Sequence, residues 1–342
     1  MAESADRVGP PDRTEDPLAE PTDRSRDTDA ARAARRALAA VAPEPGAAKP
    51  DAVLVADGVV RSFGGLTAVD VEHLEIQRGA ITGLIGPNGA GKTTLFNLLT
   101  GFDTANAGRW TFDGTPLTGL APHRVARRGV VRTFQLTKAL SRMSVLDNMR
   151  LGATGQSGES FLGALFTRWG SQERRITEKA RELLARFKLD AKVDDMAGSL
   201  SGGQRKLLEM ARALMMDPKV VMLDEPMAGV NPALTQSLLE HVRSLRDDGM
   251  TVVFVEHDMD VIRDISDWVV VMAQGSVIAE GPPEALSSNQ AVVDAYLGAH
   301  HDRVLEFDAD GNPVGETAAL VAEMEAVELG EKPAPAGEER HR

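Results

Sequence analysis

The sequence predicts an α/β fold in which helices cover a buried parallel β-sheet and an antiparallel β element lies beside it. Short apolar runs of strand length, separated by helical stretches, are typical of a parallel sheet. These runs are residues 80–85, 220–223, 252–255 and 268–272. Partial alternation of apolar and polar residues over 53–60 and 68–76 predicts two antiparallel strands. With 342 residues, 42% of them hydrophobic, the chain can bury a sizeable core in one or two domains.

Composition divides the chain into a central domain and two polar ends. Residues 1–50 contain 10 acids, 8 bases and almost no large apolar side chains, and so predict a disordered leader. Within it, the Ala/Arg stretch 30–42 has good helix propensity, but a solvated tail is the preferred interpretation. Residues 51–301 form the predicted folded domain. Residues 302–342, with 11 acids and 4 bases, form a predicted acidic, disordered tail.

Composition also excludes several classes of site. The chain has no cysteine, so it can form no disulfide, zinc–thiolate site or iron–sulfur cluster of its own. No apolar stretch has the length of a secretory signal or a membrane span, so we expect any membrane association to pass through a partner. The net charge of −13 argues against nucleic acid as a partner. Because the C-terminal tail carries much of that charge, the net charge of the whole chain says little about the central domain.

A glycine-rich loop lies between the apolar run 80–85 and a helical stretch that begins at Lys92. It fits G-x-x-x-x-G-K-[ST], a pattern in which backbone N–H groups surround a β-phosphate and the following helix points its positive end at it. Lys92 then reaches the β- and γ-phosphates, and Thr93 is a ligand for Mg²⁺. The predicted phosphate-binding residues are Gly86, Pro87, Asn88, Gly89, Ala90, Gly91, Lys92, Thr93 and Thr94.

Two carboxylates, Asp224 and Glu225, follow the apolar run 220–223. Alone, such a pair is most often a strand end followed by ordinary turn acids. With a phosphate loop in the same chain, however, a buried strand that ends in Asp holds a carboxylate near Mg²⁺, as P-loop NTPases require. We therefore predict Asp224 as a metal ligand and Glu225 as the residue that polarises the attacking water.

Between these two motifs lies Leu200-Ser-Gly-Gly-Gln, followed by a helical stretch. With this segment the chain resembles the ATP-binding-cassette (ABC) ATPases, whose signature it matches. Ser201, Gly202 and Gly203 at a helix start can form a second anion site, with Gln204 beside it. The resemblance implies a P-loop NTPase of ABC fold and a head-to-tail dimer, in which each ATP lies between the phosphate loop of one subunit and the signature of the other.

Three further positions match the same family, and a fourth departs from its usual residue. Gln135 matches a glutamine that contacts Mg²⁺ or water, and His257 matches a histidine that contacts the γ-phosphate. Phe63 stands where the family has an aromatic residue that stacks on adenine. Asn231 occupies a position at which many cassettes carry Asp. The resemblance thus implies Lys92, Glu225 and His257 as catalytic residues, ATP as the bound nucleotide, and Mg²⁺ held by Thr93, Gln135 and Asp224.

Longer stretches look like the ATPases of branched-chain amino-acid transporters. They are residues 128–135, 143–149, 226–232, 256–262 and 294–298. The resemblance implies an ATP-hydrolysing subunit on the cytoplasmic face of the cell membrane, with a helical subdomain at about residues 137–212. It also implies three partners: a second ATPase subunit, identical or different; separate transmembrane permease subunits; and, indirectly, an extracytoplasmic substrate-binding protein.

Two alternatives stay open from the sequence. Cassettes of urea/amide and lipopolysaccharide transporters resemble the amino-acid type closely, because the substrate is selected by the permease and the binding protein. A soluble ABC ATPase of iron–sulfur assembly also carries these motifs, although the transporter-like stretches disfavour it. A P-loop kinase or GTPase does not fit the Leu200-Ser-Gly-Gly-Gln segment.

Overall fold

The computed structural model describes residues 28–133, 140–153, 169–286 and 289–298. Its strands are β1 Ala52–Phe63, β2 Leu66–Gln77, β3 Ile81–Ile85, β4 Ala107–Phe112, β5 Thr115–Pro116, β6 Val130–Arg132, β7 Val220–Asp224, β8 Thr251–Val255, β9 Trp268–Ala273 and β10 Ser276–Gly281. Its α-helices are α1 Asp29–Leu38, α2 Lys92–Leu99, α3 Pro122–Arg127, α4 Val145–Arg150, α5 Trp169–Arg186, α6 Gly202–Leu214, α7 Pro232–Asp247, α8 Met259–Ile265, α9 Pro283–Leu286 and α10 Gln290–Gly298. Within these ranges, no helix combines the length and the apolar character needed to cross a bilayer.

The core sheet has the strand order β10-β9-β3-β8-β7-β6. Strands β6 to β9 and β3 pair in parallel, and β10 is antiparallel to β9. Every residue of β3, β7 and β8 is buried, because helices cover one face of the sheet, while α2 and the antiparallel strands cover the other. This burial explains why these strands are continuous apolar runs, and it confirms the predicted parallel sheet.

The register of the core sheet places the ends of three strands side by side. Leu84 of β3 and Asp224 of β7 are both paired with Val255 of β8. The loop after β3, the carboxylates at the end of β7 and the residues after β8 therefore leave the sheet at the same edge. In open α/β sheets, ligands bind at this carboxyl edge.

The second sheet is antiparallel, with the order β2-β1-β4-β5. Strands β1 and β2 form a hairpin that pairs Phe63 with Leu66 at its tip. The hairpin confirms the antiparallel element expected from residues 53–76. Trp110 and Phe112 of β4 are buried in the core between the two sheets.

Helices α4, α5 and α6 pack together on the other face of the core sheet. Met149, Leu184 and Leu208 are buried where these helices meet. They lie within or beside residues 137–212, where a helical subdomain is predicted. Two short 3₁₀ turns, Asp190–Lys192 and Ala197–Ser199, connect α5 to α6.

The N-terminal segment departs from the prediction. Residues 30–38 do not lie in a solvated tail but in helix α1, whose Ala31, Ala34 and Leu38 are buried. Arg35 Nε donates to Asp267 Oδ1 at 2.5 Å. The predicted disordered leader is therefore wrong for residues 28–50, because small alanines at helical spacing pack as closely as larger apolar residues would. Residues 1–27 and 302–342 lie outside the described ranges.

The end of this segment contacts both sheets. Lys49 Nζ lies 3.1 Å from Glu280 Oε2 of β10, and both side chains are fully buried. The backbone N–H of Lys49 donates to Glu75 Oε2 of β2 at 2.5 Å. Beside it, His73 lies within hydrogen-bond distance of Asp57 and Glu75, at 2.7 and 3.1 Å. Residues 28–50 therefore join the antiparallel sheet to the core sheet.

Candidate nucleotide-binding and catalytic site

The phosphate loop follows β3 and ends at the first turn of α2. Its first and last glycines have φ values of 147° and 97°. A Cβ on Gly86 would lie 2.0 Å from the Met272 carbonyl oxygen, and one on Gly91 would lie 2.3 Å from the Ala68 carbonyl oxygen. Both positions thus require glycine for conformation and for space. The neighbouring strands hold the loop against the sheet edge.

Lys92 lies beneath this loop, with only 6% of its surface exposed. Its Nζ donates to the carbonyl oxygens of Gly86 and Pro87, at 2.6 and 2.9 Å. Burial lowers the pKa of Lys92, and the charges of Glu225 and Asp224 oppose that shift. The remaining loop residues divide by exposure: Ala90 is buried, Pro87 and Thr94 are half-buried, and Asn88, Gly89 and Thr93 are exposed. The loop therefore offers an exposed tip above a buried cation, which suits a phosphate chain.

Asp224 closes β7 at the same edge. Its side chain is 4% exposed, and Oδ2 accepts a hydrogen bond from Arg132 Nη2 at 2.6 Å. Oδ1 is buried and has no hydrogen-bond partner among the described residues. A buried carboxylate oxygen of this kind is costly unless something binds it. Together with the exposed Thr93 hydroxyl, it provides the hard oxygen ligands that fit Mg²⁺.

Glu225 and His257 form a pair beside Asp224. Glu225 has a φ of +46°, a sparsely populated conformation that is often found at active sites. Its backbone N–H donates to the Val255 carbonyl oxygen at 3.0 Å, which holds the turn against β8. His257 Nε2 lies 2.9 Å from Glu225 Oε1. A carboxylate next to an imidazole can orient a water molecule and accept its proton.

Arg132 is a site residue that the sequence analysis missed. It ends β6, and its Nη1 donates to Asn97 Oδ1 at 2.5 Å while Nη2 binds Asp224. Its guanidinium also lies 5.7 Å and 6.0 Å from the ring centres of Phe96 and Phe102. Its position three residues before Gln135, in a segment already singled out, was the only sequence signal.

The signature segment begins helix α6. Ser201 Oγ accepts from the Gln204 N–H at 3.2 Å, and Gln204 Oε1 accepts from the Ser201 N–H at 2.9 Å, which is a reciprocal capping box. Ser201 and Gly202 are exposed, whereas Gly203 is buried. A Cβ on Gly203 would overlap Leu234 Cδ2 at 1.5 Å. Among the described residues, no hydrogen bond or ion pair joins this segment to the phosphate loop.

Three further predicted positions have different outcomes. Phe63 is 50% exposed at the tip of the hairpin, and the Arg61 guanidinium lies 4.3 Å from its ring centre. Asn231 caps helix α7, because its Oδ1 accepts from the Leu234 N–H at 2.9 Å. Gln135 lies outside the described residues. Phe63 is therefore half-exposed beside Arg61, and Asn231 has a local structural role that an Asp could also fill.

The fold and this site define an ATP-binding cassette. A parallel sheet carries the phosphate loop, an Asp-Glu pair and a histidine at one edge, and a Ser-Gly-Gly helix start lies apart from them. The family model described as "ABC transporter" matches residues 69–228. A second model, described as "Branched-chain amino acid ATP-binding cassette transporter", matches residues 276–302.

Curated proteins and solved structures agree with these models. A probable branched-chain amino acid transport ATP-binding protein LivG of Archaeoglobus fulgidus is 42% identical over 252 residues, which cover 74% of this chain and 98% of the relative. The Pseudomonas aeruginosa protein BraF is 40% identical over 249 residues, covering 72% and 98%. The ADP conformation of the cassette MJ1267 is 37% identical, with a TM-score of 0.63, and covers 72% of this chain and 99% of that one. The chain thus belongs to the ABC transporter ATPases, in the group of branched-chain amino acid transport ATP-binding proteins.

Proposed function

We propose that this chain hydrolyses ATP to power the uptake of branched-chain amino acids through separate permease subunits. The observation that carries the proposal is that Lys92, Asp224, Glu225 and His257 converge at one sheet edge, in a chain about 40% identical to transport ATPases of that substrate. The similarity of urea/amide and lipopolysaccharide cassettes leaves those substrates as the competing outcomes of the test.

In this proposal, the phosphate loop binds the triphosphate of ATP. Lys92 exchanges its bonds to the Gly86 and Pro87 carbonyls for the β- and γ-phosphate oxygens. The exposed amides of Asn88 and Gly89 and the amino end of α2 add partial positive charge. The exposed ring of Phe63 stacks on the adenine.

The residues proposed to catalyse hydrolysis are Glu225 and His257, beside Asp224. Glu225 orients a water molecule for in-line attack on the γ-phosphorus and takes its proton, and His257 fixes the Glu225 carboxylate and contacts the γ-phosphate. Thr93 and Asp224, with Gln135, would hold Mg²⁺, which supplies positive charge to the phosphoryl oxygens. The buried Oδ1 of Asp224 supports this assignment.

The proposal requires a second ATPase subunit, identical or different. The exposed Ser201 and Gly202 start a 13-residue helix and are not bonded to the phosphate loop of their own chain. They are therefore available to the γ-phosphate of an ATP bound by the partner. The ADP-bound and nucleotide-free cassettes among the similar structures support a nucleotide-driven cycle.

A groove between the core sheet and the helical region suits a permease. It has a volume of about 230 Å³ and is lined by residues of β6 and α6 and by Leu151 and Gly152, which directly follow α4. Leu151, which is 56% exposed, provides an apolar contact at its rim. We propose that a cytoplasmic helix of the permease docks here, beside the strand that leads to Gln135. This docking places the chain on the cytoplasmic face of the membrane.

The test is transport by the assembled importer in proteoliposomes. Lys92→Ala and Glu225→Gln are each expected to lower ATP turnover at least about 100-fold, in the range that a lost catalytic group costs. Lys192→Ala is the matched control, because within the described part of the chain its ammonium group pairs with the nearby surface residue Asp195 alone, at 2.7 Å. Full ATPase activity in Glu225→Gln would overturn the assigned mechanism. Stimulation of turnover by urea or an amide, but not by leucine, isoleucine or valine, would overturn the assigned substrate.

A further inference from the structure

A half-buried lysine, Lys206, and a buried glutamate, Glu256, both contact the region of the turn that carries the catalytic pair. Lys206 belongs to helix α6, the helix that begins with the signature, and Glu256 directly precedes His257. Neither belongs to the phosphate loop, the metal ligands or the proposed proton-transfer pair. Burial of a charge is expensive unless hydrogen bonds compensate for it, so the contacts of each residue indicate what it does.

Lys206 binds the carbonyl oxygens of the turn. Its Nζ donates to the Glu225 carbonyl at 3.1 Å and to the Pro226 carbonyl at 2.8 Å. These two carbonyls directly follow the side chain that is proposed to orient water. The Lys206 ammonium on α6 is therefore hydrogen-bonded to the backbone that positions the Glu225 side chain.

Glu256 binds N–H groups of the same region. Its Oε1 accepts from the Met227 N–H at 2.7 Å, and its carboxylate is also hydrogen-bonded to the His257 N–H. Glu256 is buried, and the charge of Lys206 acts on it favourably. The Lys206 ammonium thus binds two carbonyls of the turn, and the Glu256 carboxylate binds the N–H groups of Met227 and His257.

We propose that Lys206 and Glu256 are positioning residues that together fix Glu225 and His257 in their reactive geometry. This inference rests on the proposed catalytic roles of that pair. Glu225 lies at a φ of +46°, a strained conformation that persists only where its surroundings impose it. The hydrogen bonds that Lys206 donates to the turn carbonyls and that Glu256 accepts from the Met227 N–H supply that constraint. Because Lys206 lies on α6, a displacement of the signature helix would also displace the catalytic turn.

The first experiment separates positioning from binding and folding. In the assembled importer, Lys206→Met keeps the length of the side chain but loses its donors, and we expect kcat to fall about 10- to 100-fold, as misplacement of a catalytic group by about 1 Å does. The KM for ATP and the affinity for ADP are expected to stay within about twofold, since no nucleotide contact is lost. Lys179→Met is the matched control, because that Nζ also donates to a backbone carbonyl, of Met215 at 2.8 Å, away from the site.

The second experiment measures the turn directly. Glu256→Gln keeps an acceptor for the Met227 amide but removes the charge. We expect faster amide hydrogen exchange over residues 225–228 and a kcat lowered about 3- to 10-fold, since a neutral acceptor is about half as strong. Lys206→Arg retains donors and is expected to recover part of the activity lost in Lys206→Met.

The outcomes distinguish this inference from the proposed function. If Glu225→Gln abolishes turnover while Lys206→Met keeps kcat within twofold of the unmodified protein, the positioning role is wrong and the proposed function stands. If Lys206→Met lowers kcat only in proportion to lost folded protein, measured by thermal unfolding, its role is merely structural. If Glu225→Gln retains turnover, the catalytic assignment itself fails.

Discussion

Replacement of Arg132 by methionine tests whether this residue stabilises the buried carboxylate at the centre of the site. Arg132 and Asp224 are 5% and 4% exposed in their side chains, and their closest atoms are 2.6 Å apart. Methionine fills much of the same volume but provides no charge and no donor. The variant therefore leaves Asp224 buried without its cationic partner, and also removes the bond to Asn97.

The size of the effect follows from this burial. Breaking a buried ion pair by removing one partner costs about 3–5 kcal/mol. At about 2–4 °C per kcal/mol for a chain segment of this size, the midpoint of thermal unfolding should fall by roughly 6–20 °C. Adding Asp224→Asn removes the uncompensated charge, so the double variant should recover about 1–3 kcal/mol relative to Arg132→Met alone.

The assay is thermal unfolding followed by circular dichroism in EDTA, and again with Mg²⁺ and ADP. We expect Mg²⁺ with ADP to stabilise Arg132→Met more than the unmodified protein, since the cation then replaces a missing positive charge. Two results would refute the reasoning. One is an Arg132→Met variant within about 1 kcal/mol of the unmodified protein, and the other is a double variant no more stable than the single one.

Three further predictions concern the rest of the chain. Lys49→Met should cost about 3–5 kcal/mol in urea unfolding, because it leaves the Glu280 carboxylate buried, and Glu280→Gln in the same chain should recover part of that loss. If the double variant were as unstable as Lys49→Met alone, the ion pair would not explain the loss. Burial lowers the pKa of His73, but hydrogen bonds to its two neighbouring carboxylates outweigh that effect and raise the pKa overall. The contribution of His73 to stability is therefore complete below its unfolded pKa of about 6.5 and is lost as pH rises through the raised folded pKa. The stability difference between the unmodified protein and His73→Gln should therefore shrink as pH rises above about 6.5. Phe63→Ala should raise the KM for ATP about 10-fold while Phe63→Tyr leaves it unchanged, as base stacking on an aromatic ring predicts; an unchanged KM in the alanine variant would remove Phe63 from the nucleotide site.

Much of the fold could be predicted because its determinants are local. The strands of the core sheet are buried on both faces, so they are continuous apolar runs that stand out in the sequence. Parallel pairing then brings the phosphate loop, Asp224 and His257 to one edge whatever the detailed packing. Order along the chain was therefore sufficient to predict that these residues share a site.

The remaining features depend on contacts between distant parts of the chain. Arg132 and Asp224 are 92 positions apart, and only the pairing of β6 with β7 brings them together. Helix α1 is stabilised by a partner 232 positions away, so its composition alone resembled a solvated tail. Lys206 follows the signature segment by two residues, but a lysine on a helix is usually solvated, and nothing local shows that it reaches Glu225.

The close fit of Gly203 against Leu234 has a consequence for how one subunit meets another. A Cβ at Gly203 would overlap the Leu234 side chain, so the start of α6 packs directly on the first turn of α7. Ser201, at the first helix, and Asn231, at the second, are both exposed. Because these two helix starts pack on each other, a neighbouring subunit that contacts Ser201 also lies close to the exposed cap of α7.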